Sequence, residues 1–223
     1  ESLFIDIMMN VGIIFYAAQQ IGDEHTWKLA RKHVDTTRKY LVRGDGSTAH
    51  EGIFRIETGE FLHQSTQQGW RNDSSWARGL AWAIYGFGTV YTFTQDDRDL
   101  ATAEACANYY IDHTPSHGIP PNDWDEPSPA FSFESSAAAI AAGGFLQLAG
   151  LSQDPIRAQN YHSYCEKILT TLTSEKFLAE EDKWEGILKH GIYHQRKGLG
   201  VDESVMWGEY FFLETAYKVL LNG

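Results

Sequence analysis

Seven stretches of the chain repeat apolar residues at helical spacing, and they fall into two kinds. Residues 4–20, 75–93, 135–149 and 204–221 are apolar almost all round, the pattern of a helix covered on most sides. Residues 26–42, 98–113 and 156–172 have one apolar and one polar face, so they predict helices on the outside of the molecule. Inner and outer kinds alternate along the chain. Between each outer helix and the next inner one lies a long loop. Residues 44–70 contain Gly-Asp-Gly and Glu-Thr-Gly turn signals and a short hairpin-strand candidate at 53–56. Residues 116–133 are rich in proline, and residues 177–201 in glycine, histidine and lysine.

Each inner stretch opens near an acidic residue: Asp6, Asp73, Glu134 and Glu203, at intervals of 67, 61 and 69 residues. A fixed interval with alternating inner and outer helices predicts an all-α helical-hairpin repeat, a toroid or solenoid. Its three loops gather at one end, beside the four acids, where function usually resides. A closed ring of six hairpins at roughly 60–70 residues each needs more than about 350 residues. With 223 residues and about seven main helices, the chain predicts an incomplete toroid, one domain over residues 1–223, lacking N-terminal hairpins. Its open flank at 4–20 would then expose apolar surface.

Composition narrows the function. Eighteen basic residues against thirty acidic ones leave a formal charge of −12, the wrong sign for a phosphate-tracking nucleic-acid binder or an anionic membrane surface. No run of 18 apolar residues predicts a membrane span. The first six residues lack the basic start of a signal peptide, so a cytoplasmic location is expected. Cys106 and Cys165 lie in amphipathic stretches without a CxxC motif and read as buried small hydrophobes. Walker, dinucleotide-glycine, HExxH and GxSxG motifs are absent. His113/His117 and His190/His194 are spaced HxxxH but fall near loops, so neither metal nor organic cofactor is expected. His117 and His194 read as polar cleft residues.

Residues 71–82 are the richest in candidate chemistry. Asp73 precedes an apolar helix, where a carboxylate caps free N–H groups. A cap does not require the neighbouring Arg71, Trp76, Arg78 and Trp82, whereas a cleft for a sugar acid uses tryptophan to stack on the ring and arginine to match the carboxylate. Asp6 stands alone in an apolar run. It is either a buried structural acceptor or a carboxylate facing the ring centre, with Asn10 four residues on as a partner. Glu134 and Glu203 read as helix caps.

The segment 73–87, Asp-Ser-Ser-Trp-Ala-Arg-Gly-Leu-Ala-Trp-Ala-Ile-Tyr-Gly-Phe, resembles the unsaturated glucuronyl hydrolases of glycoside hydrolase family 88. Residues 4–10, 33–37, 45–48, 134–142 and 197–203 resemble other parts of that family in the same order, so the resemblance spans the chain. It implies an (α/α)6 barrel and an enzyme that needs no cofactor. Such an enzyme removes the 4,5-unsaturated uronic acid that a polysaccharide lyase leaves on an oligosaccharide, by hydrating a vinyl ether rather than through a carboxylate nucleophile. The resemblance matches Asp73 to the acid/base and Asp6 to a second acidic residue facing it. Trp76, Arg78 and Trp124 become candidate cleft walls, and His117 a candidate substrate contact. Departures are Asn72 where the family has a second Asp, Gln67 in a His-Gln-Gly motif, and Phe133-Glu134 where an Arg is common. Gly191 and His194 replace serines found in sulfate-tolerant relatives, which leans towards unsulfated substrates. Two rival readings stand beside this one: an unsaturated rhamnogalacturonyl hydrolase, and a non-catalytic helical-repeat module that binds carbohydrate or a partner.

Overall fold

The computed structural model describes residues 1–131, 133–180 and 184–222. Ser132 and residues 181–183, within two of the loops read from the sequence, lie outside the described residues, as does Gly223. Seven α-helices appear among the described residues: α1 Val11–Ile21, α2 Glu24–Leu41, α3 Ala77–Thr94, α4 Asp97–His113, α5 Ser135–Leu151, α6 Pro155–Leu172 and α7 Met206–Asn222. Helices α3 and α5 pack together at the centre, α1 and α7 flank them, and α2, α4 and α6 lie outside. The inner–outer alternation is borne out.

Local chemistry sets the boundaries. Asp23, Asp96 and Asp154 accept backbone N–H groups at the starts of α2, α4 and α6, and Glu134 does the same for α5. Gly22, at φ 67°, ends α1 in the left-handed conformation that glycine adopts without cost. Cys106 and Cys165 are buried free thiols, as expected.

Two small sheets qualify the all-α expectation. Strands β1 Ser2–Phe4, β2 Glu51–Phe54 and β3 Phe61–Ser65 form an antiparallel sheet with Leu3 opposite Gly52 and Gly52 opposite Gln64. Strands β4 Gly191–His194 and β5 Leu199–Glu203 form a second, with Ile192 opposite Val201. The stretch 4–20 is therefore not one helix. Pairing of β1 holds the chain extended to Phe4, Ile5–Met9 then form a 3-10 turn, and α1 starts only at Val11. At 3-10 pitch residues four apart no longer share a face, so Asn10 does not reach Asp6.

The 3-10 turn lies on α3 because α3 offers it glycines. A Cβ at Gly86 would meet the Met8 carbonyl oxygen at 2.5 Å, and one at Gly79 would meet Ile5 Cγ2 at 3.0 Å. The outer layer is tied by charge: buried Asp99 of α4 accepts from Arg31 and Arg38 of α2 and from Thr94 Oγ1. The flanks of the array stay apolar and open. Ile13 and Ile21 on α1 are exposed, as are Met206, Tyr210, Leu213, Tyr217 and Leu220 at alternating spacings of four and three on α7. Gly86→Ala is expected to cost about 1–3 kcal/mol by overpacking the turn against α3, read as a lower urea midpoint at unchanged slope.

Candidate active site

Asp6 sits in the 3-10 turn, held at its base by the Ile5 N–H, which donates to the His50 carbonyl at 3.0 Å. Its side chain is 30% exposed, and its Oδ2 is buried with no hydrogen-bond partner among the described residues. His50 Nε2 lies 3.5 Å from that oxygen. Burial pushes the Asp6 carboxyl above its ordinary range, against the opposing pull of the Arg78 guanidinium, its own backbone N–H and the Trp82 indole.

Arg78, in the first turn of α3, is 3% exposed and lies between two indoles, 4.3 Å from the Trp76 ring centroid and 4.6 Å from that of Trp207. Its Nη2 donates to Gln68 Oε1 at 2.8 Å and to the Tyr193 and Ile192 carbonyls at 2.7 and 3.3 Å. Its Nε stands 3.9 Å from Glu134 Oε2. Glu134 is the α5 cap the sequence suggests, and it also accepts from the Ile192 N–H, which ties α5 to β4. Trp82 is one turn beyond Arg78 on the same face of α3.

His50 is buried with its ring 4.5 Å from Trp76 and 5.4 Å from Phe4. Burial, together with the positive charges of Arg78 and His194, pushes it down to about 3, so the ring is neutral at physiological pH. His194, at the end of β4, is also buried, has no partner on either ring nitrogen among the described residues, and is held below its ordinary value by burial first and Lys197 second. Beside this group a cleft of about 230 Å³ is lined by Gln68, Trp70, Glu126, Gln195 and Arg196. A larger cleft of about 560 Å³ runs between β1 and α2, lined by Phe4 and Ile7 but not by Asp6.

The candidates read from the sequence thus divide. Asp6, Trp76, Arg78 and His194 come together. Asp73 does not join them: its side chain is 74% exposed and pairs with Arg71 Nε at 2.6 Å. It is not a helix cap either, because α3 begins four residues later with Trp76 in the capping position. The expected facing pair of Asp6 and Asp73 is not formed. Trp124 packs edge-on against Tyr109 and Tyr110. His117 packs against Phe133 and accepts the Ile119 N–H. Glu203 is an exposed residue of β5. Trp76 is almost wholly buried, so it backs His50 and Arg78 rather than offering a face to a sugar. Sequence reasoning missed His50, Gln68 and Trp207 as site residues. Of these, Trp207 could have been suspected from its place in the first turn of an inner helix.

No family model matches the chain. It is 31% identical over 219 residues to the unsaturated glucuronyl hydrolase of Bacillus sp. (strain GL1), covering 97% of this chain and 58% of the relative. It is 32% identical over 223 residues to the unsaturated chondroitin disaccharide hydrolase of Streptococcus pyogenes serotype M1, covering 97% and 55%. A solved structure of an unsaturated glucuronyl hydrolase Asp→Asn mutant with dGlcA-Glc-Rha-Glc superposes at TM-score 0.93 and 32% identity, over 98% of this chain and 59% of that one. The chain therefore spans a little over half the length of the relatives it matches.

The raised Asp6 carboxyl has a consequence for stability. Between the ordinary value of 3.8 and its raised folded value, the unfolded chain ionises while the native site keeps its proton, so native stability falls as pH rises through that window. Asp6→Asn is expected to unfold at higher urea than the wild type at pH 7, the two converging once the pH falls below 3.8.

Proposed function

We propose that this chain, similar over nearly its whole length to a little over half of the unsaturated glucuronyl hydrolases it matches, removes a 4,5-unsaturated glucuronic acid from the non-reducing end of a lyase-generated oligosaccharide, with Asp6 as the acid/base. The observation that carries this reading is the recessed Asp6 carboxyl facing the Arg78 guanidinium, His50 and Trp82. The two relatives and the bound structure differ in the sugars they name, chondroitin disaccharide in one case and dGlcA-Glc-Rha-Glc in the other. They share the unsaturated glucuronyl residue, which is the part that would meet Asp6 and Arg78. Helices α1, α3, α5 and α7 are then four of the six inner helices of an (α/α)6 toroid.

In this reading the protonated Asp6 donates to C4 of the double bond, and positive charge develops at C5 and the ring oxygen. Water adds at C5 and returns its proton to Asp6. The resulting hemiketal opens to a ketone, and the hemiacetal left at C1 releases the aglycone alcohol. One carboxyl serves in both proton transfers, so Asp73 has no required part. Arg78 supplies a charge that cannot be withdrawn by deprotonation, and its planar guanidinium suits the substrate carboxylate. Neutralising that guanidinium removes the main interaction that holds the Asp6 carboxyl down, so the substrate's own acid group strengthens the proton donor. The neighbouring cleft with Trp70, Gln195 and Arg196 would accommodate the following sugar.

The test is the ultraviolet absorbance of the conjugated enoate during incubation with an unsaturated chondroitin disaccharide. The expected result is loss of absorbance for the wild type and for Asp73→Asn within a few-fold of it, with the alkaline limb of kcat lying at higher pH than that of kcat/KM. Persistence of the enoate with every unsaturated uronide tried, by a folded chain, would favour the non-catalytic module.

A further inference from the structure

His50 has more hydrogen-bond donors aimed at one ring nitrogen than a structural histidine needs. The backbone N–H groups of Gln67 and Gln68 point at Nδ1 from 3.2 and 3.4 Å, and Thr66 Oγ1 lies 3.1 Å from it. Thr66 Oγ1 itself accepts the Gly69 N–H at 2.8 Å, which leaves its hydroxyl proton for His50. The next residue continues the wrap, since the Trp70 N–H donates to the buried carboxylate of Asp123 at 2.8 Å. Residues 66–68 thus bring two backbone N–H groups and one hydroxyl to Nδ1, and the Gly69 and Trp70 N–H groups brace that turn through Thr66 and Asp123. A nitrogen surrounded by donors must be the lone-pair nitrogen, so the ring proton resides on Nε2. Tilted packing against Phe4 and Trp76 keeps the ring from flipping. The Nε2–H therefore stands on the nitrogen nearest Asp6, 3.5 Å from Oδ2, the buried oxygen of that carboxyl that has no hydrogen-bond partner among the described residues.

We infer that His50 is a positioning residue, a neutral donor locked in the Nε2–H form that occupies Asp6 Oδ2 and leaves Oδ1 as the oxygen that exchanges protons with substrate and water. The inference rests on the proposed acid/base role of Asp6. In the protonated acid Oδ2 is the carbonyl oxygen, which accepts from His50, while Oδ1 bears the proton. Once that proton is transferred, the same donor holds the carboxylate in place for the returning proton. The charged and titratable groups facing the pair are Arg78 from α3 and His194 from β4, both of which oppose protonation of the imidazole. The role is one of orientation: His50 neither gives nor takes a proton in the cycle.

Two variants separate this role from its rivals. His50→Gln keeps an N–H near the Nε2 position, and His50→Leu removes it. The expected result is a roughly 10–100-fold fall in kcat for His50→Leu, with its alkaline limb moved to higher pH, and recovery of most of the rate and of the limb in His50→Gln. Equal impairment of both variants with unmoved limbs, or loss of a limb in both, would overturn the inference, the latter because His50 would then be titrating itself. A second measurement needs no turnover. Nitrogen-15 NMR of the wild-type chain is expected to show the His50 ring neutral with its proton on Nε2 between about pH 5 and 8. A ring that is protonated, or carries its proton on Nδ1, in that range would end the proposal. Failure of the catalytic reading alone would appear as an intact enoate beside a correctly placed ring proton.

Discussion

The site depends on how closely one short turn can approach one helix. Asp6 is presented from the 3-10 turn Ile5–Met9, and that turn reaches α3 only because Gly79 and Gly86 have no side chains on the facing surface. The same face of α3 bears Arg78 and Trp82, so the contact that buries Ile5 and Met8 also sets the carboxyl beside its cation. Strand β1 fixes the turn from the other side, through its pairing with β2 and the bond from Ile5 to the His50 carbonyl. Backbone packing, rather than a side-chain network, therefore determines the distance between the two charges.

Electrostatics then act on a geometry already set. The Asp6 carboxyl is disfavoured as an anion by its burial and favoured by Arg78, and burial wins. Arg78 is in turn kept in place by forces that survive neutralisation of Asp6: two indole faces, Gln68 and two backbone carbonyls. A cation held so firmly from behind can meet an incoming carboxylate without reorganising, which is the condition for electrostatic work in a recessed site. Glu134 joins this cage to the start of α5 and to β4, so three of the four inner helical segments and the second hairpin converge on one guanidinium.

Much of the fold was legible in the sequence, because the 3.6-residue period of a helix is strong over fifteen or more residues, and the alternation of all-round and one-sided apolar stretches marks inner and outer layers. The β4–β5 hairpin was not legible, since its glycine- and histidine-rich strands are held by long-range bonds such as that from the Ile192 N–H to Glu134. The structure brings only some of the candidate site residues together. Arg78 and Asp6 stood out by type and surroundings, but Asp73 drew attention through neighbours it does not use: Arg71 pairs with it at the surface, while Trp76 and Arg78 turn inward. His50 has no local signal at all, because its role comes from donors that begin sixteen residues downstream and a partner on a separate turn.

The most direct test of the central claim is the single-turnover rate of enoate loss for Asp6→Asn beside the wild type, on the same unsaturated disaccharide. If Asp6 delivers the proton, the rate falls by about 10²–10⁴-fold in a variant that remains folded. A folded Asp6→Asn chain that consumes the enoate at the wild-type rate would contradict the account and return the acid/base role to another group.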